Sequence, residues 1–528
     1  MKLRILSPQK MRSSCSSRWL SSINKARQIL KEGVTISSVR IESLDSKGRG
    51  VGIGTVISEN QKLNDLKVKV KVPKTTLEDQ VELLKPFKRE GSSLLCESIS
   101  VGQESPFRIK SDSIVCPHFS ECGGCQLQML NYDSEDKFSQ IIWKTRNVKA
   151  ALQPSSDILI HPTIPSKFIW HYRNKMEFSF SSDREGNQFL GLFSFKGNSR
   201  IVDIDSCKVA PVWVSKALVA IRAWWKRFPQ LEAYVPFKNI GELESVTFRD
   251  GLSVSDRLIR INLAQSDSLA MASHEWKLNL QASLKNLCGS LFLMYTIRRP
   301  KHPTTFRHEI LFGTLTSHGE LTIRNTSVPY VYEMGSFLQP NTQMMPVIYE
   351  QVIKLIESRL VMLSSKPVVA DLFSGIGLIG LSITKIIPQC SIVSVECIAE
   401  AVTCARRNFS LNQVENRAQV FEDDATKASS FHVWKDAEVV IVDPPRSGLS
   451  NLAKALNQSN VHYVIYVSCN PESQGKDLAQ LSNFKCEEMI PIDQFPHTAH
   501  MENIVILNNT NWRFAALRFL RSLRARFF

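Results

Sequence analysis

What the chain lacks narrows the field first. No apolar run approaches the roughly 20 residues of a membrane-spanning helix, and the amino terminus has no apolar core of a secretory signal. The protein is therefore expected to be soluble, not exported and without a membrane span; separately, it is expected to be a monomer. With no such signal, the 12 cysteines argue for reduced thiols, metal ligands or catalysis ahead of disulfides. Acidic residues are missing from both ends: Glu32 is the first in the chain, and residues 508–528 hold none.

The two ends carry most of the positive charge. Of a net +15, residues 1–33 supply +7 and residues 508–528 supply +5, which leaves +3 for everything between. Net charge alone is therefore weak evidence for a nucleic-acid partner. The first segment is rich in Arg and Ser, the composition of an organelle transit peptide. Residues 1–34 are read as a signal for plastid or mitochondrion, with a basic arm that touches RNA as the alternative and a cytoplasmic location in its absence. The arginine-rich tail, 508–528, suits an amphipathic helix on RNA or a membrane surface, or an exposed appendage.

Between the ends, 43% hydrophobic and 22% charged residues over a 528-residue chain indicate two to four globular domains. Residues 35–110 read as short strands, VTISSVRIESL, GVGIGTVIS, LKVKVKV and LLCESISV, separated by glycine-bearing turns. That pattern predicts a small β-barrel. Lys67, Lys69 and Lys71 fall on one face of LKVKVKV, as an RNA contact or as the protection of a strand edge. Residues 111–330 mix strands with a helix around VSKALVAIRAWWKRF and are read as α+β. From about residue 366, β-rich runs alternate with helical segments, which predicts a doubly wound, mainly parallel sheet, an α/β Rossmann-like domain over 331–507.

Ligands of such a sheet sit beyond the carboxyl ends of its strands, and every strand end here carries a suggestive residue. Asp371 and Phe373 lead into SGIGLIG, where Gly375, Gly377 and Gly380 make G-x-G-x-x-G at a helix start. Glu396 is placed to accept hydrogen bonds from ribose hydroxyls, and Asp423 and Asp424 to meet an adenine amino group. The fourth strand ends in Asp443-Pro444-Pro445-Arg446 and the fifth in Ser468-Cys469-Asn470-Pro471. The glycine pattern by itself equally fits a dinucleotide oxidoreductase. Hydride transfer has no need of a proline-flanked aspartate or a strand-end cysteine, so the other strand ends favour a different chemistry.

Taken together, these motifs resemble the RNA 5-methyluridine methyltransferases, the iron-sulfur-containing branch of a class of S-adenosylmethionine enzymes. DLFSGIGLIGLSI resembles the family's cofactor loop, IVDPPRSGL its substrate loop, VSCNP its nucleophile and DQFPHTAHMENIVIL its final motif; GSFLQPNTQ resembles the segment whose Gln contacts the cofactor. The resemblance covers most of residues 35–507. It implies Cys469 as nucleophile, Glu502 as base and Asp443 as a group that holds uracil. Gln339, Asp371, Phe373, Gly375, Gly377, Glu396, Asp424 and Asp443 are the implied cofactor contacts. The barrel resembles the RNA-binding TRAM domain, except that the turn between its later strands reads PKTTLEDQVE.

CPHFSECGGCQLQ, with Cys207 further on in IDSCKVA, resembles the iron-sulfur motif of some members. Cys116, Cys122 and Cys125 have five and then two residues between them, and with Cys207 make four thiols. Four thiolates suit a [4Fe–4S] cluster or tetrahedral zinc equally; the resemblance points to iron. The implied substrate is structured tRNA or rRNA with a uridine that is accessible or flipped out. Phe495, His497 and His500 could stack on that base, or belong to an ordinary polar loop. Two rivals remain: a 5-methylcytidine RNA methyltransferase, whose fourth-strand motif would carry a cysteine that DPPRSGL lacks, and a non-catalytic RNA-binding protein with a metal-stabilised core.

Overall fold

The computed structural model describes residues 26–511 apart from 62, 134–137, 198–199, 265–270, 272 and 300–301. The arginine-rich tail beyond residue 511, and the transit-like segment before residue 26, lie outside the described residues. The chain resolves into two compact units. The first runs up to Trp143 and takes in Phe193–Val202 and His497–Ala499; the second holds Lys144–Leu192, Asp203–Pro496 and the chain from His500 onward.

In the first unit, strands Thr35–Arg40, Gly50–Ile57, Lys67–Val72, Gln80–Glu90 and Ser93–Gln103 close into a ring, with Ser43–Leu44 as a spur. Residues alternate between the inside and the outside of the barrel along Gly50–Ile57, as the twofold period of a strand requires. Glycine is needed where the ring closes: a Cβ on Gly52 would fall 2.4 Å from the carbonyl oxygen of Arg40. Ile36, Val39, Val56, Val70, Val81 and Leu84 fill the interior. Residues 26–32 are helical and add Ala26 and Ile29 to that core, so the last part of the transit-like segment is packed on the barrel.

Two features of the barrel were not in the sequence pattern. The strand Gln80–Glu90 carries Pro86 and several charges, features that argue against a strand; the ladder accommodates it by slipping register between Pro86 and Lys88. And LKVKVKV is no edge, since it pairs with Gly50–Ile57 on one side and with Ser93–Gln103 on the other. Its lysines diverge in role: Lys67 donates to the Thr55 hydroxyl at 2.9 Å, Lys71 pairs with Glu90 at 2.6 Å, and Lys69 is exposed.

The second unit carries an eight-stranded sheet. Seven of its strands are numbered here β1 Val368–Leu372, β2 Ser391–Glu396, β3 Ala418–Glu422, β4 Val439–Val442, β5 Tyr463–Ser468, β6 Phe484–Ile492 and β7 Glu502–Asn509. Their spatial order is β3-β2-β1-β4-β5-β7-β6, with the short strand Leu159–Ile160 added beside β6. β1 to β5 run parallel, and β7 is antiparallel to both its neighbours. Side chains of one strand go alternately to opposite faces, and both faces are covered. Val369, Ile392, Ile441 and Ile465 enter one core, and Ala370, Val395, Val440 and Val464 the other. That is why the strands read as unbroken apolar runs. Helices α1 Leu378–Ile386 and α2 Ala399–Leu411 follow β1 and β2.

The strands Lys175–Ser182, Leu243–Arg249, Leu258–Ala264, Ser290–Ile297 and Thr305–Phe312 form most of a second sheet in this unit. The helices Val212–Arg227 and Glu275–Leu284 are tied by Trp224 Nε1 donating to the carbonyl of Trp276 at 2.9 Å. The α+β expectation for the central residues is met in this sheet and its helices.

A candidate active site at the strand ends

Strand order reverses between β1 and β4, and beyond such a reversal the diverging loops leave a crevice. Register decides which residues meet there. Leu372 lies opposite Val395 and Val442, so Phe373, Glu396 and Asp443 emerge side by side. Ser468 lies opposite Asn503 across the antiparallel β5–β7 pair; one step further, Cys469 faces Glu502. Glu502 is also opposite Ile492 on β6, which brings Asp493 and Gln494 to the same edge.

The glycine loop is shaped for close approach. Phe373 adopts φ +61°, Gly375 +55° and Gly377 +79°, a left-handed region costly for a phenylalanine. Gly375 N–H donates to Glu396 Oε2 at 2.9 Å, while Glu396 Oε1 accepts from Cys397 and Ile398 N–H, each at 2.9 Å. Glu396 thus holds the loop and the turn after β2 together, with lone pairs left over for a ligand. Asp371 is fully buried and accepts from Gly380 N–H at 3.0 Å; burial pushes its carboxyl up to about 7. Asp424 accepts from Thr426 N–H and hydroxyl at 2.9 and 2.7 Å, bonds that lower its pKa.

Beside this loop lies a cavity of about 340 Å³, lined by Phe337, Gly375, Glu396 and Ile398 among others. Arg260 and His308, from the strands Leu258–Ala264 and Thr305–Phe312, also line it. Neither was visible in the sequence, because only tertiary packing brings two distant strands to this cavity.

At the other side of the crevice the polar groups form one chain, buried at Gln339, Gln494 and Glu502 and half-buried at Asp443. Gln339 Nε2 donates to Asp443 Oδ2 at 3.0 Å, Gln494 Nε2 donates to Gln339 Oε1 at 2.9 Å, and the same nitrogen donates to Glu502 Oε2. Asp443 is pushed up to about 7 by burial and by the charge of Asp371, against the pull of Gln339. Burial, then Asp443, drives Glu502 well above the ordinary carboxylate range. The Cys469 thiol rises to about 11 through burial and the neighbouring Glu502 and Asp443, with Arg446 opposing them by charge and a hydrogen bond. The buried Phe495 ring meets the exposed His500 ring edge-on, with centroids 6.0 Å apart.

Cys469 sits in a narrow turn. Asn470 caps the helix Pro471–Leu478 by accepting from Glu472 N–H, and its Nδ2 donates to the Arg446 carbonyl at 3.0 Å. Asp477 of that helix accepts from Leu449 N–H at 2.8 Å and from the Tyr466 hydroxyl at 2.7 Å. The loop 443–449 and the turn at Cys469 are therefore fixed to each other.

In the first unit, Lys74 of the atypical PKTTLEDQVE turn donates to the carbonyls of Cys122, at 3.0 Å, and Cys125. Cys122 sulfur accepts from Gly124 N–H at 3.3 Å. An amide and an ammonium beside these thiols fit an anionic, thiolate-rich site. Among the described residues, however, no three His, Cys, Asp or Glu side chains converge closely enough to hold a metal ion. Cys207 belongs to the second unit. His497 is buried, and its carbonyl accepts from Gln126 and Leu127 N–H, each at 2.9 Å.

A sequence model of the family described as tRNA (Uracil-5-)-methyltransferase matches residues 144–510. The chain belongs to this family. Its relatives extend the match into the first unit. A chain from Protochlamydia amoebophila described as an uncharacterized RNA methyltransferase is 30% identical, covering 83% of this chain and 99% of that one. One from Chlamydia trachomatis with the same description is 32% identical, covering 74% and 97%. The crystal structure of Pyrococcus abyssi tRNA (uracil-54, C5)-methyltransferase with S-adenosyl-L-homocysteine shares the fold, with a TM-score of 0.61 at 21% identity, covering 89% of this chain and all of that one. As a member of the family, the protein is a S-adenosylmethionine-dependent RNA (uracil-5-)-methyltransferase. Among the described residues, no helix is long and apolar enough to cross a membrane.

Proposed function

We propose that the protein methylates carbon 5 of a uridine in structured tRNA or rRNA through a covalent bond between Cys469 and carbon 6. The observation that carries this reading is the β5–β7 register, which sets a thiol opposite a buried carboxyl. Carbon 5 of uracil is too weak a nucleophile to take a methyl group unaided. Addition of the Cys469 thiolate to carbon 6 moves an electron pair onto the ring, and carbon 5 becomes enolate-like. S-adenosylmethionine, when bound, supplies the methyl group to that carbon. Glu502 then takes the carbon 5 proton, the ring double bond reforms, and the sulfur leaves as thiolate. Asp443 holds the uracil edge, and Gln339, Asp371, Phe373, Gly375, Gly377, Glu396 and Asp424 make or shape the cofactor site.

Other assignments rest on the resemblance and on composition. The barrel binds RNA; Cys116, Cys122, Cys125 and Cys207 hold a [4Fe–4S] cluster; and the amino-terminal segment directs the protein to plastid or mitochondrion. The target uridine must leave its stack to reach the half-buried Cys469 thiol. The test is nucleoside analysis of RNA incubated with the protein and S-adenosylmethionine. The wild type should produce 5-methyluridine, and Cys469→Ala none. Production of 5-methylcytidine instead would favour the cytidine enzyme, and 5-methyluridine formed undiminished by Cys469→Ala would end the covalent route.

A further inference from the structure

Gln494 has no assigned part in the reaction, yet it sits at the centre of that polar chain. It is fully buried, and its single amide nitrogen has two hydrogens, both committed: one to Gln339 Oε1 and one to Glu502 Oε2. Because Gln339 must present its oxygen to Gln494, its own amide nitrogen faces Asp443, where it donates at 3.0 Å. One side chain thereby sets the orientation of a second amide and of a carboxyl.

The backbone around Gln494 gives it little freedom. Its carbonyl accepts from Asn341 Nδ2 at 3.2 Å. Next to it, Asp493 is fully buried, pairs with the equally buried Lys144 at 2.6 Å and accepts from Phe495 N–H at 2.9 Å. Glu502 Oε2 is taken by Gln494, whereas Glu502 Oε1 is buried and has no hydrogen-bond partner among the described residues.

We propose that Gln494 is a positioning residue: it holds Glu502 by one oxygen so that the other, Oε1, is presented as the atom that takes the carbon 5 proton. This rests on the role proposed above for Glu502. In the step concerned, the carbon 5–hydrogen bond breaks and the proton passes to Glu502 Oε1. The electron pair of that bond reforms the carbon 5–carbon 6 double bond, and the carbon 6–sulfur bond breaks with its pair going to Cys469. An amide N–H on the other oxygen favours the charged carboxylate, which is the form needed to accept a proton. It also prevents the carboxyl from turning Oε2 toward the ring.

Removing the donor should therefore impair elimination far more than addition. Two assays separate these steps. 5-Fluorouridine RNA reports addition and methyl transfer, because fluorine at carbon 5 blocks the proton removal; multiple turnover on uridine RNA includes the elimination. In Gln494→Leu, trapping should fall only a few-fold, because Gln339 also loses a partner, while turnover falls about ten- to a hundredfold, within the range of acid–base effects. The acidic limb of the turnover pH profile should move up by about one unit, the scale of a lost hydrogen bond to a charged group. Gln494→Met, close in length, is the second variant and should behave alike. Trapping that falls in step with turnover in both variants, or turnover with an unmoved acidic limb, overturns the assignment. A wild type that is never trapped would remove the role of Glu502 on which it rests, and the assignment with it.

Discussion

Cys469 illustrates how much of a residue's chemistry comes from its neighbours. Burial beside Glu502 and Asp443 holds its thiol near 11, so the free protein at neutral pH carries the thiol form and the reactive thiolate is scarce. Raising the pH toward 11 should therefore keep increasing its reactivity, past the point where an ordinary cysteine levels off. Alkylation of Cys469 by iodoacetamide, followed peptide by peptide by mass spectrometry, should rise about tenfold per pH unit from 8 to 10. Glu502→Gln removes one of the opposing charges and should bring the curve down in pH; a plateau near 8.5 in the wild type would contradict this environment. At this scale the sequence was informative where a motif names a residue, as for Cys469, Asp443 and Glu502. It was silent on Gln494, Arg260 and His308, whose positions follow from tertiary packing between distant strands.

At the scale of elements, the site depends on a few turns that ordinary side chains would spoil. Gly448 has φ +88°, and a Cβ there would lie 2.3 Å from Asp477 Oδ2, the oxygen that binds Leu449 N–H and the Tyr466 hydroxyl. Gly448→Ala should displace the loop that carries Asp443 and Arg446, cost about 1–3 kcal/mol in urea unfolding, and slow 5-fluorouridine trapping. Equal stability and trapping would show that the loop tolerates the change. The helix Gln140–Leu152 meets the loop before β7 through the fully buried Lys144–Asp493 pair. Lys144→Met strands a buried carboxylate, and a loss of about 3–5 kcal/mol is expected; a loss under about 1 kcal/mol would mean that Asp493 takes up a proton at little cost. The parallel strands were legible because both faces are buried and their runs are apolar. Gln80–Glu90 was not, since its proline and charges are accommodated by a register slip that only the neighbouring strand reveals.

On the scale of the whole molecule, fold class could be read from alternating apolar runs and helices, but the compact units could not. Phe193–Val202 and His497–Ala499 belong to the first unit although most of the chain around them belongs to the second, a grouping set by long-range packing that no local pattern encodes. The cysteine loop belongs to the first unit as well. Protein purified without oxygen should contain iron and sulfide in near-equal amounts, and Cys122→Ser should lose both; stoichiometric zinc without sulfide would replace the cluster with a zinc site and leave the methyl-transfer chemistry untouched. With only +3 of the +15 charge between residues 34 and 507, recognition of RNA by the body of the protein must depend on where its cations lie and not on their excess. The most direct measurement is peptide mapping of the wild-type protein after reaction with 5-fluorouridine RNA and S-adenosylmethionine. The fluorinated, methylated nucleotide should be found on Cys469; an adduct on another cysteine, or full product formation with no adduct at all on a verified substrate, would contradict covalent catalysis by Cys469.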